Sequence, residues 1–212
     1  MRALITAGGR GTRLRPLTHT SNKHLIPIAN KPIIHYALEA VAAAGIRDVG
    51  IVLNPDTGEE IRQGLGDGAA WGLAITYVMQ EAPLGLAHVI QAAEGFLRGE
   101  PFVFFLGDNV VVGGIRQFVE RFEARGDHCH LVLARVRDPQ RFGVAEVQED
   151  RIVRVVEKPA RPASRWTPRR NSPEARAIEA AQTLSAHAKY CQAVNSPSRQ
   201  FVWELSTHAS TS

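Results

Sequence analysis

Short apolar segments and longer amphipathic segments alternate along the first 159 residues of the chain. Apolar runs of strand length predict buried β-strands, and apolar residues at helical spacing predict helices. The predicted strands are Ala3–Ala7, Val49–Leu53, Leu73–Val78, Pro101–Leu106 and Leu131–Ala134, and the predicted helices are Pro32–Val41, Gly58–Leu65, Gly85–Leu97 and Ile115–Glu123. Two further segments, Val144–Val147 and Arg151–Val156, flank a turn and predict a hairpin. Strands that alternate with helices predict an α/β fold, a parallel sheet with helices on both faces.

Polar residues follow the predicted strands where a ligand would bind. In open parallel sheets, ligands bind outside the carboxyl ends of the strands. The first strand runs into a glycine-rich loop, the third ends at Gln80, and the fourth ends at Gly107-Asp108-Asn109. The sequence therefore predicts a binding site along this edge.

The glycine-rich loop has the composition of a phosphate-binding segment. Three of the four residues in 8–11 are glycine, so backbone N–H groups can approach a bulky anion without obstruction by a Cβ atom. Arg13, Arg15 and Lys23 add full positive charges nearby. The loop therefore predicts a polyphosphate ligand.

Two familiar phosphate loops do not match. A P-loop needs a Gly-Lys-Ser/Thr ending, which does not occur in the chain. A dinucleotide-binding loop needs a third glycine where Leu14 stands and a carboxylate after the second strand, where Asn54 stands. An NAD-linked oxidoreductase is therefore disfavoured.

The loop instead resembles the signature of the sugar-nucleotide nucleotidyltransferases. The residues at 8–18 read Gly-Gly-x-Gly-Thr-Arg-Leu-x-Pro-x-Thr, and Lys23 follows. Within that family, segment 12–32 is most similar to the glucose-1-phosphate thymidylyltransferases, and the resemblance continues to about Pro159. It implies a three-layer, Rossmann-like, mostly parallel sheet of the nucleotide-diphospho-sugar transferase type, incomplete at its C-terminal side.

Asp108 and Gln80 carry the chemistry expected at the strand ends. A carboxylate directly after a buried strand can hold Mg²⁺, which prefers oxygen ligands, although Asp at this place can also cap a turn. We favour the metal role, and the resemblance agrees. A glutamine amide both donates and accepts, as the edge of a pyrimidine requires, and the resemblance implies that Gln80 reads thymine or uracil. The residues do not separate dTTP from UTP.

The resemblance also assigns roles to individual residues. The implied nucleotide-binding residues are Ala7, Gly8, Gly9, Gly11, Thr12, Arg13, Lys23, Gln80 and Gly85. The implied sugar-phosphate-binding residues are Asn109, Gly143, Glu157 and Lys158. On sequence alone, Glu157-Lys158 on a strand edge is more often a solvated ion pair, but the match to the family's Phe-Gly-Val and Glu-Lys-Pro motifs leads us to favour the binding role. The catalytic residues would be Arg13, Lys23, Asp108 and Lys158, with Asp108 as the metal ligand.

The implied reaction is nucleotidyl transfer. A phosphate oxygen of a sugar 1-phosphate, with glucose 1-phosphate favoured, attacks the α-phosphorus of dTTP and expels pyrophosphate, so that a dTDP-sugar forms. The implied cofactor is Mg²⁺. Because the family takes its second metal carboxylate from segments absent here, the alternative is a catalytically impaired fragment or a regulatory protein that binds nucleotide without turnover.

The composition changes abruptly after Pro159, which predicts two regions, 1–159 and 160–212. All 18 glycines precede residue 160, eight of the nine serines follow it, and the basic tail supplies the whole net charge of +4. Such a tail is either a disordered Ser/Ala-rich segment or the product of a shifted reading frame, and we favour the second. Within it, Glu174–Leu184 has helical character but is too short to be stable alone.

Other function classes find little support in the composition. No run of eighteen apolar residues predicts a membrane span, and no basic-aromatic interleaving predicts nucleic-acid binding. Two cysteines give no disulfide framework and suit a reducing cytoplasm. A homo-oligomer is possible, as in the intact family.

Overall fold

One large sheet forms the centre of the protein. The computed structural model describes residues 1–8, 22–125, 129–135, 138–141, 143–148, 151–164, 166–167, 176–180 and 201–203. The strands of the sheet are β1 (Arg2–Thr6), β4 (Asp48–Leu53), β5 (Ala74–Met79), β6 (Phe102–Leu106), β7 (Cys129–Arg135), β8 (Gly143–Gln148), β9 (Arg151–Glu157), β10 (Trp166–Thr167), β11 (Arg176–Ala180) and β12 (Phe201–Trp203). A separate small hairpin joins β2 (Pro27–Ile28) to β3 (Lys31–Pro32).

The strand order of the sheet is β5-β4-β1-β6-β12-β7-β11-β9-β8, and β10 pairs with β7. β5, β4, β1 and β6 are all parallel to their neighbours, while β8 and β9 form the predicted antiparallel hairpin. The next two strands of the sheet along the chain, β4 and β5, lie on one side of β1. The strand after them, β6, lies on the other side of β1. The carboxyl ends of β1 and β6 are therefore a topological switch point, where open α/β sheets bind their ligands.

Helices cover the sheet on both faces, which confirms the predicted three-layer fold. The helices are α1 (Ile33–Ala43), α2 (Gly58–Leu65), α3 (Leu86–Ala92), α4 (Glu94–Leu97) and α5 (Arg116–Arg125). Side chains of α1, α2 and α5 pack in one core with Ala3 and Ile5, whereas those of α3 and α4 pack in a second core with Leu4. Successive residues of β1 thus enter opposite cores, because side chains alternate across a strand.

The predicted helix Gly85–Leu97 is divided in two. Ala93 has φ −90° and ψ 8°, which ends α3 and precedes α4. Beyond this break, the ring of Phe96 lies against Gly50 of β4 so closely that a Cβ atom on Gly50 would come within 2.7 Å of it. The periodicity of the apolar residues does not reveal this break.

Parts of the segment after residue 159 pair with the sheet. β10, β11 and β12 belong to this segment, and β12 lies between β6 and β7. The stretch predicted to have helical character contains β11, a strand that pairs antiparallel with β7, because ladder pairing overrides local propensity here. The division of the chain at residue 159 and the origin of the tail stay predictions.

No helix in the described part of the chain is both long and apolar enough to span a bilayer.

Candidate functional site

Backbone hydrogen bonds align the carboxyl ends of the four parallel strands. Ala7 N donates to Val52 O at 2.8 Å, Gln80 N to Leu53 O at 2.8 Å, and Gly107 N to Thr6 O at 2.9 Å. The residues that follow β5, β1 and β6 therefore share one edge. Since neighbouring strands lie about 4.8 Å apart, Gln80 and Asp108 are separated by three strand spacings, about 14 Å.

Lys23 and Asp108 form an ion pair at the switch point. Lys23 Nζ lies 2.6 Å from Asp108 Oδ2, and the two side chains are only 10% and 17% exposed. Lys23 begins a short 3₁₀ helix, Lys23–Leu25, whereas Asp108 follows β6. The sequence placed both residues in the catalytic group, and the structure brings them together.

Gly107, the residue before Asp108, packs closely against β1 and against His24. A Cβ atom at Gly107 would lie 2.9 Å from the carbonyl oxygen of Thr6 and 3.2 Å from Cδ2 of the buried His24 ring. The first distance is shorter than real Cβ contacts, and the obstructing atom belongs to the backbone of a central strand. Glycine before Asp108 is therefore a packing requirement at the site.

Three side chains join the backbone on either side of segment 9–21, and we call Asn22, Asn54 and Thr57 the clamp. Asn54 Nδ2 donates to Gly8 O at 2.5 Å, and Asn54 Oδ1 accepts from Thr57 N at 2.8 Å. Asn22 Nδ2 donates to Thr57 Oγ1 at 2.7 Å and lies 3.4 Å from Ala7 O. The residues that precede and follow the glycine-rich loop are thus both held by the segment that leads into α2.

The clamp is buried and extends to His24. Asn22 and His24 are each 2% exposed. Asn22 Oδ1 accepts from the backbone N–H of His24 at 3.0 Å and lies 2.6 Å from the ring nitrogen Nδ1. The sequence motifs gave no role to Asn22, His24 or Thr57. The available signal is Asn54-x-x-Thr57 just before a helix, because Asn at such a place commonly bonds its own downstream backbone.

Gln80 is buried, and its amide nitrogen has two partners. The residue is 8% exposed. Gln80 Nε2 lies 3.3 Å from Gly85 O, to which it donates, and 3.1 Å from His88 Nδ1. Gly85 precedes α3 with φ 92° and ψ −179°, a conformation essentially restricted to glycine.

Asn109 is buried beside Asp108. It is fully buried, and within the described part of the chain neither Oδ1 nor Nδ2 of its side chain has a hydrogen-bond partner. A buried amide without a partner costs free energy unless water, an ion or another group satisfies it.

The remaining residues of the predicted sugar-phosphate group lie farther along the sheet. Gly143 and Glu157 face each other across the hairpin of β8 and β9. Lys158 follows, exposed and with φ 42°. Three strands, β12, β7 and β11, lie between β6 and β9 in the sheet order. The role of this group stays a prediction.

Four residues of the predicted site, Gly9, Gly11, Thr12 and Arg13, lie outside the described residues. Where the structure does describe the chain, it contains no group of three or more His, Cys, Asp or Glu side chains placed to hold a metal ion. Asp108 is thus not part of a metal cage built from protein ligands in that part of the chain.

Comparison with known proteins gives consistent matches. The family model described as nucleotidyl transferase matches residues 2–190. A glucose-1-phosphate thymidylyltransferase of Streptomyces griseus is 50% identical over 165 residues, which are 77% of this chain and 46% of that protein. The corresponding protein of Streptomyces antibioticus is 51% identical over 166 residues, again 46% of its length. The chain therefore spans about half the length of these curated relatives.

Solved structures agree with the fold. A Bacillus anthracis protein, described as a glucose-1-phosphate thymidylyltransferase and solved with a sucrose, superposes with a TM-score of 0.77 at 28% identity, covering 96% of this chain and 86% of that one. A UDP-glucose pyrophosphorylase complexed with UDP-glucose gives a TM-score of 0.67 at 26% identity, covering 78% and 72%.

Proposed function

Since this chain belongs to the nucleotidyl transferase family, we propose that it binds dTTP along the carboxyl edge of β5, β4, β1 and β6 and transfers its nucleotidyl group to a sugar 1-phosphate. The products are a dTDP-sugar and pyrophosphate. We favour glucose 1-phosphate, because relatives that are half identical to the chain are named for that substrate.

The observation that carries this proposal is the Lys23–Asp108 pair at the switch point of the sheet. The pair lies three strand spacings, about 14 Å, from Gln80. This span suits an extended nucleoside triphosphate with its base at Gln80 and its phosphates near Gly8 and Lys23. A cation beside a carboxylate at that place suits phosphate binding and metal binding together.

The reaction needs alignment and charge neutralisation more than proton transfer. A phosphate oxygen of the sugar 1-phosphate forms a bond to the α-phosphorus, and the bond from the α-phosphorus to the bridging oxygen breaks as pyrophosphate leaves. The attacking phosphate is already an anion, so no general base is required. The Lys23 ammonium would stabilise charge on the triphosphate, and the clamp would hold Gly8 so that the backbone after β1 faces the phosphates.

Asp108 fits a magnesium site that substrate completes. Mg²⁺ commonly takes one or two carboxylates and fills its remaining positions with phosphate oxygens and water. Asp108, directly after β6, would be the protein ligand in the described part of the chain. Bound there, Mg²⁺ would neutralise negative charge on the phosphates.

The sugar side of the proposal depends on Asn109, Gly143, Glu157 and Lys158. Asn109 is supported by its place directly after Asp108 and by its two polar side-chain atoms, for which the described residues supply no hydrogen-bond partner. Gly143, Glu157 and Lys158 are proposed from their motif. Arg13 and the glycines of segment 8–11 are likewise proposed as triphosphate ligands.

Pyrophosphate release by the purified 212-residue chain tests the function. The chain is incubated with MgCl₂, dTTP and glucose 1-phosphate, and pyrophosphate and dTDP-glucose are quantified together. Equal amounts of both products would support the proposal. Pyrophosphate without a sugar nucleotide would indicate hydrolysis, and the absence of both products would rule out transfer by this chain.

A second candidate is nucleotide binding without turnover. The sheet order favours it, because three strands lie between β6 and β9, so that Glu157 and Lys158 of the predicted sugar-phosphate group lie away from the Lys23–Asp108 pair. Calorimetric binding of dTTP by a chain that releases no pyrophosphate would select this alternative. For either function we propose a cytoplasmic location, since two cysteines give no disulfide framework.

A further inference from the structure

The orientation of the Gln80 amide is determined by its neighbours. Nε2 lies 3.3 Å from the carbonyl oxygen of Gly85, and this oxygen can only accept a hydrogen bond. If the amide were turned over, Oε1 would face that carbonyl oxygen, and two acceptors would repel each other. The nitrogen must therefore point toward α3.

His88 adds a second restraint on the same nitrogen. Its Nδ1 lies 3.1 Å from Gln80 Nε2, and His88 is a half-buried residue of α3. An amide nitrogen has two hydrogens and no lone pair to accept with, so His88 Nδ1 is the acceptor and the ring proton lies on Nε2. Gly85 O and His88 Nδ1 together take both hydrogens of the Gln80 amide.

We propose that His88 is a positioning residue for base selection, acting through Gln80. This inference rests on the proposed function, in which Gln80 faces the base. With both hydrogens occupied, the amide presents Oε1 to the ligand as an acceptor. Thymine and uracil offer an N3–H donor to such an acceptor, whereas cytosine offers an unprotonated N3 that would face it acceptor to acceptor. The acceptor on His88 thus favours bases with an N3–H group and disfavours cytosine.

Base discrimination by histidine variants tests the proposal. Affinities of the 212-residue chain for dTTP and dCTP are measured by calorimetry, and the ratio of the two dissociation constants is compared among variants. His88→Leu removes the acceptor, so the amide turns more easily and the preference for dTTP should fall by about five- to tenfold, the worth of one hydrogen bond. His88→Asn places an oxygen where Nδ1 stood and should restore the preference.

Gln91→Leu is the matched control, because Gln91 is an exposed residue of the same helix. This variant should bind both nucleotides as the parent does. A structural role for His88 would weaken dTTP and dCTP binding equally and leave their ratio unchanged, which would overturn the inference. If the parent chain prefers dTTP and His88→Leu keeps the full preference, the positioning role fails while the proposed function stands. If the parent binds neither nucleotide, the proposed function itself fails, and the inference fails with it.

Discussion

The ammonium nitrogen of Lys23 lies 2.6 Å from a carboxylate oxygen of Asp108, although 85 positions separate the two residues in the chain. Lys23 follows the glycine-rich segment, and Asp108 follows β6, which pairs with β1 at the switch point. Both side chains are largely buried, so the two opposite charges compensate each other where solvent screening is weak. A bound triphosphate would compete with Asp108 for the same ammonium group.

Asp108→Asn should abolish magnesium-dependent pyrophosphate release, because the amide is a poor substitute for a carboxylate ligand. It should also lower the free energy of unfolding by about 1–3 kcal/mol, since the Lys23 ammonium loses its ion pair with Asp108 in a largely buried position. Both effects are measured on the same preparation, by a coupled pyrophosphate assay and by urea denaturation.

The control for this variant is Asp48→Asn, an exposed carboxylate at the start of β4 and thus at the opposite edge of the sheet. It should change neither magnesium-dependent pyrophosphate release nor the free energy of unfolding. If Asp108→Asn retains the magnesium response of the parent chain, Asp108 is a structural residue and not a metal ligand.

Thr57→Val tests the clamp. The substitution keeps the shape of the side chain but removes Oγ1, which accepts from Asn22 Nδ2 at 2.7 Å and donates to Asn54 Oδ1 at 3.1 Å. A buried amide then loses a partner, so unfolding should become easier by about 1–3 kcal/mol. Affinity for dTTP, measured by calorimetry, should fall because the backbone around Gly8 is less well held.

Thr76→Val makes the same chemical change at an exposed position of β5 and should leave dTTP affinity as it is. The two threonine variants together separate the clamp from a general effect of removing a hydroxyl group. Equal dTTP affinities for the parent and Thr57→Val would show that the clamp stabilises the fold without positioning the loop.

Gly85→Ala should weaken nucleotide binding and destabilise the protein. Its φ of 92° with ψ near 180° is strained for any residue with a Cβ atom, at a cost of about 1–3 kcal/mol. Relief of that strain would move the carbonyl oxygen that holds Gln80. Thermal unfolding and dTTP calorimetry check the two effects.

Gly95→Ala is the contrasting substitution, because Gly95 lies within α4 and a Cβ atom there would meet nothing within 4 Å. It should be neutral or should stabilise the chain by up to about 1 kcal/mol. Unchanged stability and binding in Gly85→Ala would mean that the turn before α3 adapts without strain.

His35 should contribute to the pH dependence of stability. Burial lowers the pKa of His35 below its ordinary value of 6.5, an effect that Glu39 partly opposes and Lys31 reinforces. The folded protein therefore favours the neutral ring. The stabilising contribution is complete above pH 6.5 and is lost as the pH falls toward the lower pKa of the folded state, because the unfolded chain takes up the proton first.

His35→Phe removes the titration and keeps an aromatic ring against Trp71, whose centroid lies 4.9 Å from that of His35. Urea denaturation at pH 7.5 and 5.5 gives the loss of stability on acidification for each protein. The loss should be smaller in the variant than in the parent. Equal losses would assign the acid sensitivity to other groups.

Periodicity and turn residues were sufficient to predict most of the parallel fold. The helix predicted at Gly58–Leu65 has those bounds in the structure, because its apolar residues recur at helical spacing and Gly66 follows with positive φ. The strand predicted at Pro101–Leu106 differs by one residue. These elements are determined by local pattern together with burial on one or both faces.

The clamp and the break at Ala93 could not be predicted in the same way. Asn22, Asn54 and Thr57 are ordinary turn residues until the sheet brings their loops together. Likewise, beyond the end of α3 the ring of Phe96 packs against Gly50, which is a contact between distant parts of the chain. The motifs predicted functional roles for Lys23 and Asp108, but their pairing follows from the strand order, which the motifs do not give.

The position of β1 between β4 and β6 also constrains how the protein is made. β1 precedes both of its neighbours in the chain, which begin at residues 48 and 102, so it leaves the ribosome before either of them. Until the second neighbour is synthesised, one edge of an apolar central strand has no partner and can pair with another nascent chain. The Lys23–Asp108 pair likewise cannot form before residue 108 has been added, so the site is assembled only after β1, β4, β5 and β6 have all been synthesised.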